Sequence, residues 1–148
     1  MLLEFRARKR MYGRSAGAVY LRKGDFLEDP KVHKILEKAD VLFVNNYAFE
    51  SDVNWRLMQM FLSMKEGATI ISFSAFRSLD YKITEHNMND IASILTVKKA
   101  VYGPGGVSWT ASPGEYYIHR IDRRPLKRFL EMGTKASRAS RGSRGRSD

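Results

Sequence analysis

The chain has 148 residues, 43% of them hydrophobic and 11% aromatic, enough apolar material for one domain with a real core. It holds no cysteine, which excludes disulfides and thiolate chemistry, and its three histidines, His33, His86 and His119, stand too far apart for a local metal motif. The net charge of +10 is unevenly placed: residues 1–23 carry seven Lys/Arg against one acid, residues 120–148 carry ten against three, and the middle carries nine against twelve.

A mildly acidic middle between two basic ends reads as a site domain flanked by segments that face nucleic acid, or as charge that only solubilises. No apolar run reaches the roughly 18 residues that a membrane span needs. The first residues, Met1-Leu2-Leu3-Glu4-Phe5-Arg6, are interrupted by charge at once and are not expected to act as a secretory leader.

Residues 1–12 predict a helix, with Leu2, Leu3, Phe5 and Met11 as its apolar stripe, ending near Gly13. Ala18-Val19-Tyr20-Leu21 predicts a short strand. Lys23-Gly24-Asp25-Phe26-Leu27 follows it. There Asp25 is placed to accept from an amine and Phe26 to stack on a ring, although Gly-Asp is equally a plain turn signal. Pro30 suits the first turn of a helix through Lys38, with Asp29 as its cap.

Val41-Leu42-Phe43-Val44 is a run of β-formers that ends in Asn45-Asn46 and then Tyr47-Ala48-Phe49. Apolar residues running into two amides and aromatics mark the carboxyl end of a parallel strand, the edge where ligands bind in open α/β sheets. A strand closed by an Asx turn is the other reading. Ser51 or Asp52 caps the next predicted helix, whose Val53, Leu57, Met60, Phe61 and Met64 share a core face. Ala68–Phe73 predicts the second strand of a parallel crossover.

Arg77, Tyr81, Lys82 and Asn87 fall on a loop, followed by a short helix ending near Ser93 and a strand opening at Ile94–Val97. Tyr102-Gly103-Pro104-Gly105-Gly106 is a turn. Val107-Ser108-Trp109-Thr110 and Glu115–Arg120 then read as extended pieces antiparallel to their neighbours. After Pro125 a short amphipathic helix holds Leu126, Phe129 and Leu130. Residues 133–148 form a basic, low-complexity tail, expected to be disordered alone, in which Lys135, Arg138, Arg141, Arg144 and Arg146 suit phosphate backbones. The expected division is therefore a domain over 1–132 and a tail over 133–148.

Several of these stretches, in this order, resemble one family. Lys23-Gly24-Asp25-Phe26-Leu27, Val41–Phe49, Met64-Lys65-Glu66-Gly67, Val107-Ser108-Trp109-Thr110 and Tyr116-Tyr117 together are similar to the Dot family of non-SET histone methyltransferases (disruptor of telomeric silencing), over roughly residues 1–122. The resemblance implies S-adenosylmethionine-dependent methylation of a lysine on the core face of histone H3 in the nucleosome, in the nucleus, with consequences for telomeric silencing. It implies a class I, Rossmann-like α/β fold, of which this chain would be the carboxyl-terminal half of a seven-stranded sheet. By the same resemblance Asp25 and Phe26 would hold the donor's adenine and Asn45 would lie by the transferred methyl. Phe43, Trp109 and Tyr116 would wall the lysine channel, Asn45 and Tyr116 being the catalytic pair. Nucleosomal DNA and ubiquitylated histone are the implied partners, and no metal.

Two family features do not occur in these 148 residues: a glycine-rich Asp-x-Gly-x-Gly first-strand turn and a second strand ending in the acid that holds the ribose. In the usual strand order those two strands lie between the Ala18–Leu21 strand and the Val41 strand. This chain alone is therefore expected to bind the donor weakly or not at all. Two further readings compete: a catalytically inactive chromatin or nucleic-acid binding module, and a small-molecule or RNA methyltransferase of the same general fold.

Overall fold

The computed structural model describes residues 17–143, with backbone alone for 137–143. Helix α1 (Pro30–Lys38) starts as expected: the Asp29 carboxylate accepts from the Lys31 amide at 2.9 Å, and Pro30, which lacks an amide to satisfy, takes the first turn. Strand β1 (Val41–Val44), helix α2 (Ser51–Met60) and strand β2 (Thr69–Ser72) follow, β1 and β2 pairing in parallel. The α2 cap is Glu50, without a side-chain bond, rather than Ser51 or Asp52. A 3₁₀ turn at Phe61–Ser63 extends α2, and its end carbonyls at Leu62 and Met64 accept from Arg123 Nη2, both at 3.0 Å.

Strands β3 (Leu95–Tyr102) and β4 (Gly114–Ile121) form an antiparallel pair, and β4 inserts beside β2, giving the sheet order β1-β2-β4-β3. Helix α3 (Arg124–Ser143) closes the described chain. Asp122 starts it by accepting from the Arg124 amide at 3.0 Å and from its guanidinium at two further positions. That arginine holds the Asp122 carboxyl down to about 2.

One face of the sheet is the core. Val44, Ile70, Leu95 and Ile121 pack there with Leu36 of α1, Leu57 and Met60 of α2, and Phe61, Met64 and Phe76. The opposite face carries the row Phe43, Ile71, Ile118 and Lys98 in register. Val41 and Phe43 on that face are 60% and 59% exposed, and among the described residues no strand pairs with the second edge of β1.

Four sequence expectations change. Ala18–Leu21 is not a strand; it lies exposed, and among the described residues no neighbour satisfies a ladder there. Val107 and Thr110 bridge each other, so that stretch is a tight turn presenting Trp109, not an extended piece. The short helix expected to end near Ser93 is present as a 3₁₀ helix, Ile91–Ile94, so the strand opens at Leu95 and not at Ile94. The last helix is not short: it runs to Ser143, so the expected boundary between 132 and 133 falls inside it. Arg, Lys and Ala are good helix formers and carry it through the Ser/Arg sequence. The predicted helix at 1–12 lies outside the described residues, as do Arg144 and Arg146. The fold is mixed α/β with a four-stranded sheet.

Candidate functional site

The two amides at the end of β1 divide the work. Asn46 is buried and uses its full bonding capacity inside the fold. Its Oδ1 accepts from the amides of Phe73 and Ser74 at 3.0 and 2.8 Å, and its Nδ2 donates to Asn54 Oδ1 and the Ser74 carbonyl, each at 3.1 Å. It ties the exits of β1 and β2 together and does not face a crevice. Asn45, one residue earlier and so on the other side of the chain, is exposed and lines a cavity of about 330 Å³. The same cavity is lined by Phe26, Phe43 and Phe49, with Leu36 and Leu57 beneath.

Phe26 and Phe49 stack in that cavity, centroids 5.9 Å apart and planes 18° off parallel. Asp25 lies next to it, exposed. Its Oδ1 accepts from the Leu27 amide at 2.9 Å, and its carbonyl accepts from Glu28 and Asp29, so the Gly-Asp turn reading describes its local role. Turn formation and ligand binding are compatible here, because one carboxylate oxygen makes the turn.

A second cavity, about 450 Å³, opens past the other strand exits, among Tyr47, Phe73, Tyr102, Trp109, Glu115 and Tyr117. Phe73 is its hub. It meets Phe43 edge-on at 5.7 Å, Trp109 at 5.1 Å and Tyr102 at 6.2 Å. Phe43 and Trp109 thus belong to one aromatic chain, joined by a residue that sequence alone marks only as part of a strand. Tyr116 does not line this cavity. Tyr117 lines it instead, while by register Tyr116 shares the face of Ile118, Ile71, Phe43 and the lining residue Tyr102. Tyr47, after the two amides, and Tyr117, in the Tyr116-Tyr117 pair of the family resemblance, are marked in sequence, whereas Tyr102 is marked only as the start of a turn.

Behind the strand exits lies His119, fully buried on β4. The Phe76 amide donates to its Nε2 at 3.1 Å. Burial lowers its pKa to about 4; the Ile70 carbonyl offsets part of this and the Arg77 cation adds to it. Among the described residues its Nδ1 and the Nε of Arg77 have no partner of ordinary hydrogen-bond geometry. Arg77 is held by the Ala92 and Tyr81 carbonyls and stacks over the Tyr81 ring at 4.7 Å, so the loop from Ser74 to Asp90 is pinned from inside.

Of the basic residues assigned to nucleic acid, Lys135 is exposed on α3, and Arg138 and Arg141 follow at helical steps of three. Among the described residues no group of three His, Asp or Glu could hold a metal, and no helix is long and apolar enough to cross a membrane.

A parallel β-α-β unit with an exposed amide at its strand exit, extended by an antiparallel pair, is a mixed α/β arrangement, and in open α/β sheets ligands bind at the carboxyl ends of the strands. The family model described as "Histone methylation protein DOT1" matches residues 1–121, and the chain belongs to that family. A histone-lysine N-methyltransferase, H3 lysine-79 specific, from Yarrowia lipolytica is 41% identical over 131 residues, covering 88% of this chain and 27% of the relative. Its namesake in Emericella nidulans is 41% identical over 128 residues, covering 86% and 26%. The namesake in Drosophila melanogaster is 36% identical over 127 residues, covering 86% and 7%. The chain therefore spans about a quarter of the two fungal relatives and much less of the fly protein.

Proposed function

We propose that this chain is the adenine-holding and lysine-facing half of an S-adenosylmethionine-dependent histone-lysine N-methyltransferase that acts on the core face of histone H3 in the nucleosome. The observation that carries the reading is Asn45: an amide without a hydrogen bond to any described residue, at a strand exit, in the same cavity as the Phe26–Phe49 stack. The family's names supply the reaction class.

The donor fits this site in one part. A flat base suits an apolar cavity of about 330 Å³ with a phenylalanine stack, and the exposed carboxylate of Asp25 stands beside it to accept from an exocyclic amine. The ribose and methionine moieties call for a glycine-rich turn and an acid-ended strand, which these 148 residues do not contain. In the seven-stranded arrangement those strands would join at the open edge of β1, beside Asn45.

When bound, S-adenosylmethionine supplies an activated methyl on a sulfonium with a good leaving group. The protein's part is to deliver a neutral amine in line. Aromatic walls at Phe43, Trp109 and Tyr116 would strip water from the lysine ammonium and lower its pKa, so that its proton leaves to solvent. The Asn45 amide oxygen would accept from the remaining N–H and aim the lone pair. Basic residues of α3 and beyond, Lys135, Arg138, Arg141, Arg144 and Arg146, would hold nucleosomal DNA by charge alone.

Asn45→Ala, in the longest chain that the transcript encodes, should lower methyl transfer by about 100-fold and leave nucleosome affinity unchanged. An equal loss of both would sink the assignment. The second reading, a chromatin-binding module without catalysis, uses the basic ends and no methyl donor. Calorimetry on the 148-residue chain discriminates: micromolar donor binding would overturn it.

A further inference from the structure

Beyond Phe129, its last half-buried residue, helix α3 is exposed at every position from Leu130 to Ala136. The helical backbone then continues through Ser143. Over that stretch and one residue past it Ser-Arg recurs every three residues: Ser137-Arg138, Ser140-Arg141 and Ser143-Arg144. A contact with phosphate backbones by charge needs only the arginines. The serines do not serve the helix either, since alanine holds a helix better than serine does. Three hydroxyls set at a fixed step among cations are therefore left without a part in the proposed function.

We propose that Ser137, Ser140 and Ser143 are phosphorylated by a protein kinase that reads the flanking arginines, and that the phosphates release this segment from DNA. An acidic substrate groove on the kinase gains from arginines at this spacing. In each transfer the serine oxygen attacks the γ-phosphorus of a nucleoside triphosphate. One O–P bond forms, the phosphoanhydride bond breaks, the nucleoside diphosphate leaves, and the hydroxyl proton passes to solvent. Charge decides the consequence. Residues 133–148 carry five Lys/Arg against one acid, a net +4. Each phosphate brings about −1.5 to −2 at pH 7, so three bring about −5 and reverse the sign. On the helix, position 141 follows 137 by one turn, with the anion before the cation, the order that favours pairing. A phosphate at 137 thus competes with DNA for Arg141. The inference rests on the reading of this segment as a DNA contact.

The full 148-residue chain is incubated with ATP and a Ser-Arg-directed protein kinase, or with an acid-directed kinase as control, and the modified positions are read by mass spectrometry. Phosphate should enter Ser137, Ser140 and Ser143 with the first kinase and not with the second. The phosphorylated chain should then bind a short DNA duplex at least about tenfold more weakly, with a flatter dependence on salt. The combined Ser137→Ala, Ser140→Ala and Ser143→Ala variant should bind DNA as the unmodified chain does and lose its response to the kinase. No phosphate at these positions, undiminished binding by the phosphorylated chain, or an equal response in the variant would overturn the proposal. Weaker binding by the untreated variant would also overturn it, by assigning the serines to the DNA contact itself. Removal of residues 133–148 separates the two failures: it weakens DNA binding if only this inference is wrong, and leaves binding unchanged if the DNA reading is wrong as well.

Discussion

Because the Phe76 amide donates to Nε2 of His119, the ring must carry its proton on Nδ1 and remain neutral. Protonating Nε2 would set two donors against each other in a buried site. With a folded pKa of about 4 against an ordinary value of 6.5, the unfolded chain binds the proton first as pH falls. This contribution is therefore complete above about pH 6.5 and is lost as pH drops from there towards 4, at most by about 3 kcal/mol. Urea unfolding across that range should show stability falling with pH, and His119→Gln should flatten the slope. An unchanged slope in the variant would assign the effect to another group. At this scale the sequence was half legible. Asn45 and Asn46 stand out together as two amides after a strand, yet alternation sends one to solvent and the other into four internal bonds, which composition alone does not announce.

Among the elements, the joint between α2 and β2 shows how a short motif can be structural. Lys65-Glu66-Gly67 matches the family, and in the fold Glu66 accepts from the amide and guanidinium of Arg123 while Gly67 turns with φ +82°. A Cβ there would meet only Arg120 at ordinary contact distance, so the cost of Gly67→Ala is backbone strain, about 1–2 kcal/mol. Gly67→Asn should cost less, since asparagine tolerates this conformation; chemical denaturation midpoints of the two variants would check the order. The legible elements are α1, from its Asp29–Pro30 start, and β1, α2 and β2 as one crossover; the last strand was legible as antiparallel to its neighbours, without its pairing partner. Ala18–Leu21 has β-propensity but, among the described residues, no strand to pair with, so propensity misled. Val107–Thr110 has the residues of a strand, but Val107 bridges back to Thr110 across a tight turn.

Across the whole molecule, charge and topology separate the functions proposed for its parts. If α3 and the residues after it hold DNA, removing residues 133–148 should flatten the dependence of binding on salt, as each lost phosphate contact lowers the slope by about 0.9. An unchanged slope would move the contact to residues 1–23. The open edge of β1 has a further consequence, for how the sheet comes apart. Among the described residues β1 and β3 are both edges, but β3 pairs with β4 over eight residues and β1 with β2 over only four, so sub-global opening should begin at β1 and take Asn45 with it, while β3 and β4 stay paired. Amide hydrogen exchange should then be slowest along β4 and fastest along Val41–Val44, so the strand that presents the proposed catalytic amide is the least protected part of the sheet. Phe73 and Ser74, which belong to no strand, should exchange as slowly as β2 only while the Asn46 side chain holds their amides, which makes them reporters of whether the strand exit is closed.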